Sequence, residues 1–576
     1  MATQYESRVQ NIVYQLEVGL GARILKGALY ILFMILVAVL FMARRHQGFR
    51  EERAMDQAQL AVQVANTGTL QTRVIRPAAL ALLEEHGTFT DTDPARGLLG
   101  LPDVINEPVY PYLLGTVFKA TGTDFEAPRR FRFAPERWII IPLNLLFCFA
   151  SGLLLYLIGL RLFSPRVALT ALTVFFLSGI PFSRAIEGTE LSLILFLFTF
   201  ATWCVLQVIE AWSRESSGPV AKWLPLILGA FALALLPLSR YAAAAVYPGT
   251  LFLLIFGLKR KAVIPVVVIL LLGALMTGFW VNRNLQVSGR PFGLAPSIAF
   301  SVSSSDVELR RLDPIDQEEP FQVKAALSRG VNAVHQAFTF ESSPMGSGLV
   351  FCLFIATFFY RFQRRGISAL RWSILVSYSF LTLGAGLFGL EQMEVSFLFF
   401  PLVALLGSAF FYLLLDRLQI QIKVLSLGVI AVFILFQTLP FLTAMSSPKP
   451  FSYPPYHPQI MWNVMEPFED DELVVSDLPW ATAWYGNQLS LHLPVTVQEF
   501  FQIHDSYQDV EGLYFTLATR NLPYQKQLVQ GPYSNWRNIL DGNALPRGFP
   551  FTFGLPISNG EQLIYADRER FFPDAP

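Results

Sequence analysis

Residues 24–42 read ILKGALYILFMILVAVLFM, and residues 43–68, directly after them, read ARRHQGFREERAMDQAQLAVQVANTG. The first stretch is apolar apart from Lys26 near its start, and it matches the roughly 20 residues a helix needs to cross the hydrocarbon core of a bilayer. The second is charged and then amphipathic, so the chain leaves the membrane here and begins a loop. No small-residue cleavage site follows the apolar run, which therefore reads as an anchor retained in the protein.

Carried along the 576 residues, the same criterion finds about eleven runs. After the first they are Trp138 to Leu160, Val167 to Ile180, Leu191 to Ile209, Trp223 to Leu238, Tyr241 to Leu258, Ala262 to Trp280, Gly346 to Tyr360, Trp372 to Leu390, Val395 to Leu415 and Val424 to Thr443. The third, fifth and eighth are short and need tilt or local thinning to span. Composition agrees: 53% hydrophobic against 15% charged residues, with a mean hydropathy of +0.45, lies outside the soluble range. Lys plus Arg (43) balance Asp plus Glu (43), so no global basic field points to a nucleic-acid partner. Cys148, Cys204 and Cys352 sit inside apolar runs, which excludes a disulfide framework or a CxxC motif, and the six histidines lack metal-ligand spacing.

Lys and Arg in short loops favour the cytoplasmic side. With a cytoplasmic N-terminus, that side collects Arg23 and Lys26, Arg161 and Arg166, Arg214 and Lys222, Lys259 to Lys261, Arg361 with Arg364, Arg365 and Arg371, and Arg417 with Lys423. The opposite short loops hold only Arg184 and Arg240. An odd number of spans then leaves the C-terminus outside. The expected organisation is a cytoplasmic segment (1–23), a transmembrane bundle (24–443) with external loops 43–137 and 281–345, and an external soluble domain (444–576), all in the cytoplasmic (inner) membrane.

In the first loop, MDQAQLAVQVANTG (55–68) and EPVYPYLLGTVFKATG (107–122) are amphipathic, suited either to lying on the membrane surface or to packing on the bundle. In the tail, DELVVSD, LSLHLP and EGLYFTL read as strands between helix-like WATAWYG and VTVQEFFQIH, which predicts a small α/β module. PKPFSYPPYHP (448–458) reads as the linker to it. Trp480, Trp484 and Tyr485 fit either the core of that module or a sugar-stacking surface.

Ionisable residues at the membrane rim are costly to place and so point to function. Asp56, the group Arg184, Glu187 and Glu190, then Arg240, Arg283, Glu391 and Glu394 all belong to one face, where they either converge on a cavity or form structural ion pairs. Carboxylates beside guanidinium groups suit a reaction in which an acceptor hydroxyl loses its proton to a carboxylate while a phosphate leaves under Arg stabilisation. Charge inside the spans is sparse, which disfavours a lipid-linked-glycan transporter or flippase, the runner-up reading, since a transporter concentrates ionisable groups at the midplane.

Several blocks together give the chain a resemblance to the GT-C glycosyltransferases, in particular the bacterial relatives of protein O-mannosyltransferases and of the aminoarabinose (lipid A) transferase. The blocks are MDQAQLAVQVANTGTL, NEPVYPYLLGTVFKATG, APERWIIIPLNLL with Arg137, IPFSRAIEGTELSL, FWVNRNLQVSGRPFGL and, in the tail, LVVSDLPWATAWYGNQLSLHLP. The resemblance implies a polytopic GT-C fold with a large first external loop and a C-terminal external α/β domain. It implies an inverting transfer of sugar from a polyprenyl-phosphate donor to an acceptor hydroxyl on a glycan, lipid or protein. It makes Asp56 the general base and Glu187 or Glu190 a second acidic residue, with Arg137, Arg184, Arg240 or Arg283 on the lipid phosphate. A divalent cation is a possible cofactor. The chain departs from the family pattern at three points: Gln57 stands where a second acid is usual, Leu60 where an aromatic residue is common, and Asn106–Glu107 where many members place a lysine. The missing second acid keeps a non-catalytic partner of a glycan-assembly complex as a further alternative.

Overall fold

The computed structural model describes residues 20–88, 97–214, 216, 218–295, 305–312, 323–338, 345–346, 348–362, 365–419, 421–446, 453–542 and 545–571. Every one of the expected apolar runs is mostly helical in its described part, with breaks such as Ser178–Gly179 and Gly389. By length and composition eight described helices can cross a membrane, or nine if the bent pair Pro165–Leu177 and Ile180–Ile186 is one span, which makes this a multi-pass membrane protein. The difference from eleven has two sources. The run beginning at Gly346 yields only the short helix Gly348–Phe359, and the sixth and seventh runs form one helical segment, Tyr241–Ser288, of 48 residues. At 1.5 Å per residue that segment is about 72 Å long, enough for two crossings. It is broken where Lys259 takes a φ of 53°.

The bundle's lipid-facing sides are apolar, as on the first helix, Leu20–Arg45, where Leu29, Leu32, Phe33, Leu36 and Leu40 are exposed while Met34, Ala38 and Phe41 point inward. The two amphipathic stretches of the first loop take the packed alternative. Glu52–Thr67 and Val109–Thr121 are helices whose apolar faces, Met55, Ala58 and Ala61 on one and Tyr110, Leu114 and Phe118 on the other, share the main core with the bundle.

The C-terminal region builds a six-stranded sheet in the order β1-β3-β2-β4-β6-β5. Its strands are β1 (Val74–Ile75), β2 (Leu473–Ser476), β3 (Leu489–His492), β4 (Val510–Phe515), β5 (Phe553–Ile557) and β6 (Gln562–Ala566). β1, β3, β2 and β4 are parallel, and β6 and β5 close one edge antiparallel. The expected strands and helices of the tail are all present. Helix Pro479–Gly486 connects β2 to β3, and Val497–Ser506 connects β3 to β4, started by a capping box in which Thr496 accepts from the Glu499 N–H and Glu499 accepts from the Thr496 N–H.

Strand periodicity then sorts the side chains. Val74, Val474, Tyr514 and Ile564 face the core shared with the membrane bundle, whereas Ile75, Leu473, Val475, Leu491 and Leu513 face a separate core around Phe500 and Trp536. Both faces of the central strands are covered, as a parallel sheet requires. β1 comes from the first loop, about 400 residues before its partner, so the sheet is completed only by a distant part of the chain. Residues 448–452 of the expected linker lie outside the described residues, and the linker's Tyr456 is buried.

Trp480, Trp484 and Tyr485 take the packing alternative as well. All three are buried, the Trp484 indole donates to the Glu136 carboxylate at 2.8 Å, and the Phe49 N–H donates to the Tyr485 hydroxyl at 2.8 Å. They fasten the C-terminal domain to the first loop and to the start of the second span. Replacing Leu491, fully buried in β3 and paired with Ile75 of β1, by Ala is expected to cost about 2–5 kcal/mol. The measurement is the thermal midpoint of the purified chain in detergent, and an unchanged midpoint would contradict this account of the sheet.

Candidate functional site

Asp56 lies on the first turns of helix Glu52–Thr67 and is held from three sides. Its Oδ2 accepts from the Arg76 guanidinium at 2.7 Å and from Asn106 Nδ2 at 3.0 Å, and its Oδ1 accepts from Gln59 Nε2 at 3.0 Å. The side chains of Asp56 and Arg76 are only 3% and 4% exposed, so this is a buried ion pair. Arg76 follows β1 directly, and β1 is fixed by β3 on one side. On the other side Thr72 N–H donates to Leu101 C=O at 2.9 Å, and Asp103 N–H donates to Leu70 C=O at 3.0 Å. Gln59 completes the clamp, bridging Asp56 to Thr72 Oγ1 and taking the Arg73 N–H at 2.9 Å.

Asp103, beside this pair, accepts from the backbone N–H groups of Ile105 and Asn106. Burial, and next the charge of Asp56, push its carboxyl above the usual aspartate range. Arg283, on helix Val263–Ser288, donates to the Asp103 C=O at 2.7 Å and lies 4.9 Å from the Trp280 ring centroid.

One turn before Asp56, Arg53 starts a second network. It donates to Glu190 at 2.9 Å and to Glu107 at 2.5 Å. Glu190 also takes Arg240 at 3.2 Å, and Arg240 reaches Glu394 at 3.2 Å. Arg184 pairs with Glu187 at 2.9 Å and lies 3.9 Å from Glu394. Helix ends place these charges where backbone dipoles favour them: Glu190 immediately precedes helix Leu191–Ser213, and Arg240 immediately follows helix Pro219–Ser239. Gly188 makes the intervening turn possible. Its φ is +83° and a Cβ there would meet the Phe49 ring at 2.3 Å, so only glycine fits.

Glu190 is fully buried; burial would raise its carboxyl, but Arg53 and Arg240 hold it below the usual glutamate range. Glu187 behaves oppositely. Burial pushes it up to about 7, against the pull of Arg184.

The two networks join twice, through Arg53 and Asp56 on one helix and through neighbouring Asn106 and Glu107, into one polar layer. Its Asp56 end is closed, and its Glu394 end opens, with the Glu394 side chain 41% exposed and that of Glu187 24%. The structure thus brings Arg184, Glu187, Glu190, Arg240 and Glu394 together and sets Asp56 and Arg283 on the adjoining side. The side chain of Glu391 lies outside the described residues. Arg137 joins neither network; it sits at the start of the second span, 5.6 Å from the Trp138 ring centroid. Sequence reasoning missed Arg53, Arg76 and Asp103. Arg53 was detectable by its i, i+3 spacing from Asp56, whereas Arg76 becomes visible only once β1 is known to pair with β3.

A divalent cation needs several oxygens turned on one point. Here the guanidinium of Arg76 and two amides already take the oxygens of Asp56, and Gln57 contributes a neutral amide, buried with no hydrogen-bond partner among the described residues. No group of three His, Cys, Asp or Glu among the described residues is arranged to hold a metal. The residues around Asp56 do not fit such an ion.

The arrangement has the fold of the GT-C glycosyltransferases. ArnT from Cupriavidus metallidurans, bound to undecaprenyl phosphate, superposes with a TM-score of 0.55 at 11% identity, over 94% of this chain and 98% of that one. The archaeal oligosaccharyltransferase AglB from Archaeoglobus fulgidus, in complex with an inhibitory peptide and a dolichol-phosphate, does so with a TM-score of 0.53 at 12% identity, over 94% of this chain and 75% of that one. A structure of the Archaeoglobus fulgidus oligosaccharyltransferase in complex with Zn and sulfate matches at 0.53 and 11% identity, over 84% and 68% of the respective chains. By sequence, no family model and no curated protein matches. At these identities the likeness is one of fold.

The raised carboxyl of Glu187 gives the site a pH signature. A carboxyl held above its unfolded value near 4.5 supplies stability that is fully present below that value and is lost as pH rises toward 7. The two values bound the effect at about 3 kcal/mol, and partial exposure brings it well below that. Thermal midpoints of the wild type should therefore decline between pH 5 and 8 relative to those of Glu187→Gln, and parallel curves would refute the assignment.

Proposed function

We propose that this protein is a glycosyltransferase that moves a sugar from a polyprenyl-phosphate donor to an acceptor hydroxyl, with inversion, at the non-cytoplasmic face of the inner membrane. The observation that carries the reading is the polar layer itself: in a chain with the GT-C fold, a buried carboxylate at Asp56 is continuous with a partly exposed set of Arg and Glu side chains at the ends of the spans. The neighbours' bound lipids, undecaprenyl phosphate in one and dolichol-phosphate in the other, support a lipid-linked donor.

In this reaction the acceptor oxygen attacks the anomeric carbon as the bond to the phosphate oxygen breaks. The hydroxyl proton goes to Asp56, and the electron pair of the broken bond stays on the departing polyprenyl phosphate. Arg184, Arg240 and Arg283 provide the positive charge for that phosphate. Glu187 and Glu190 set the orientation of Arg184 and Arg240 through the ion pairs described above. Arg137 forms no ion pair with the carboxylates of this set among the described residues and rests beside Trp138 instead. The acceptor is a glycan, a lipid or a protein hydroxyl.

A second reading has a specific observation behind it. Both oxygens of Asp56 are engaged, and the carboxylate is closed from solvent by Arg76, Gln59 and Asn106. A chain that has kept the fold but serves as a non-catalytic partner of a glycan-assembly complex would tolerate that closure.

The experiment that separates them is transfer of labelled sugar from a panel of polyprenyl-phosphate donors into membrane extracts, comparing wild type with Asp56→Asn at equal amounts of folded protein. The expected result is transfer by the wild type and a loss of about 10²–10⁴-fold in the variant, the range of a missing general base. Equal transfer by both would remove Asp56 from the chemistry, and no transfer by either across the panel would favour the non-catalytic partner.

A further inference from the structure

A cavity of about 320 Å³ opens between the end of the first helix and the segment leading into the second span. Arg44, His46, Arg132 and Arg137 line it, together with the apolar side chains of Met42 and Phe131. Its charge is one-sided. Among the described residues no carboxylate pairs with Arg44, Arg132 or Arg137, in contrast to Arg53, Arg76, Arg184 and Arg240, each of which meets at least one. The acidic neighbour is Glu136, fully buried behind the cavity, where it takes the Trp484 indole N–H and lies 3.2 Å from His46 Nε2. Glu136 is turned toward His46 and Trp484, so the three guanidinium groups line the cavity with no ion-paired carboxylate among the described residues, and such an arrangement is stabilised by an anion that bridges them.

The depth of the cavity says what kind of anion. Three span ends meet there: the first helix ends at Arg45, the second span begins at Glu136, and Arg44 donates at 2.9 Å to the C=O of Met445, at the end of helix Lys423–Ser446. Trp138, next to Arg137, is 71% exposed and marks the membrane–water boundary, where tryptophan collects. The exposed apolar side of the first helix runs up to the same point. An anion at this level with an apolar wall of Met42 and Phe131 is a headgroup with its chains in the bilayer, and lipid phosphates lie at that depth.

We infer that this cavity binds the phosphate of an anionic membrane lipid, with Arg44, Arg132 and Arg137 as its ligands. The cavity shares none of its lining residues with the Asp56 layer, and the inference does not depend on the chain's being a transferase. Two sources share the chemistry, an anionic phospholipid and a polyprenyl phosphate.

The test uses the full chain in detergent, offered phosphatidylglycerol, zwitterionic phosphatidylcholine, a short polyprenyl phosphate or inorganic phosphate, with bound lipid counted by native mass spectrometry. The wild type is expected to retain phosphatidylglycerol or the polyprenyl phosphate over phosphatidylcholine, and whichever displaces the other names the source. The triple variant Arg44→Gln, Arg132→Gln, Arg137→Gln should lose that retention by about tenfold or more. Arg129→Gln, nearby but outside the lining, should keep it. Arg132 is exposed, so Arg132→Gln alone keeps the test available if the triple variant fails to fold, with a several-fold loss expected. Equal retention of anionic and zwitterionic lipid, or undiminished retention by the variants, would overturn the site. Inorganic phosphate displacing lipid as effectively as either lipid does would overturn its assignment to a lipid.

Discussion

The contact on which the rest of this structure depends is the two-residue pairing of β1 with β3 and the ion pair it delivers. Val74 and Ile75 add to the edge of a sheet otherwise built from the C-terminal region, and the next residue, Arg76, then reaches Asp56. A buried ion pair contributes little net stability, because the two charges give up water to meet, whereas stranding either one is expensive, about 3–5 kcal/mol. The pair therefore enforces a geometry more than it adds stability. If the C-terminal domain came away from the first loop, Arg76 would be withdrawn and Asp56 left charged in a dry site. Docking of the domain and the state of the site are in this way one equilibrium.

The same economy of contacts explains the tryptophans and Tyr485. Helix Pro479–Gly486 packs against the Asp56 helix, with Ala481 and Ala483 buried in the same core, while Trp484 reaches Glu136 and Tyr485 reaches Phe49. Each of these polar tips ends a buried apolar body at a hydrogen bond, as a buried indole or phenol requires. The C-terminal domain is thus anchored at three points on the first loop: at β1, along helix Glu52–Thr67 and at the residues flanking the first and second spans. Residues 97–108 form no helix and only an isolated bridge at Pro102, yet backbone bonds from Thr72 to Leu101 and from Asp103 to Leu70, with the ion pair of Arg53 and Glu107, hold Asp103, Asn106 and Glu107 in position.

Much of this was legible in the sequence. Uninterrupted apolar runs gave the helices of the bundle, because lipid leaves a chain little else to do with its backbone polar groups. Alternating strand-like runs between helix-like ones gave the strands and helices of the tail, while the capping box at Thr496 emerged only with the structure. The residues Arg184, Glu187, Glu190, Arg240 and Glu394 stood out as charges at span ends, and they do meet. What stayed hidden follows from distance along the chain. A two-residue strand such as β1 has no period to detect, its partner is some 400 positions away, and Arg76 carries no local mark that distinguishes it from a solvated arginine. Span number was blurred for a different reason: a helix broken at Lys259 and a short helix from Gly348 have the composition of crossings without the clear ends that allow them to be counted.

The polar layer also carries a constraint on any reaction it performs. Its open end is rich in paired charge, with Glu394 within 4 Å of both Arg184 and Arg240 and Glu187 paired with Arg184, and such a set can release one guanidinium to a phosphate while the carboxylates stay compensated. Its closed end has no such slack. Asp56 meets Arg76, Asn106 and Gln59 at once, and Gln59 is itself tied to Thr72 and Arg73. On the proposed reading, then, the donor phosphate is bound by rearrangement among side chains that share partners, whereas the acceptor hydroxyl reaches the base only when Gln59 or Asn106 gives up its bond to the carboxylate. Of the two, Gln59 is the better gate. It alone contacts Oδ1, so its departure frees one oxygen for a proton while Arg76 and Asn106 continue to hold the other.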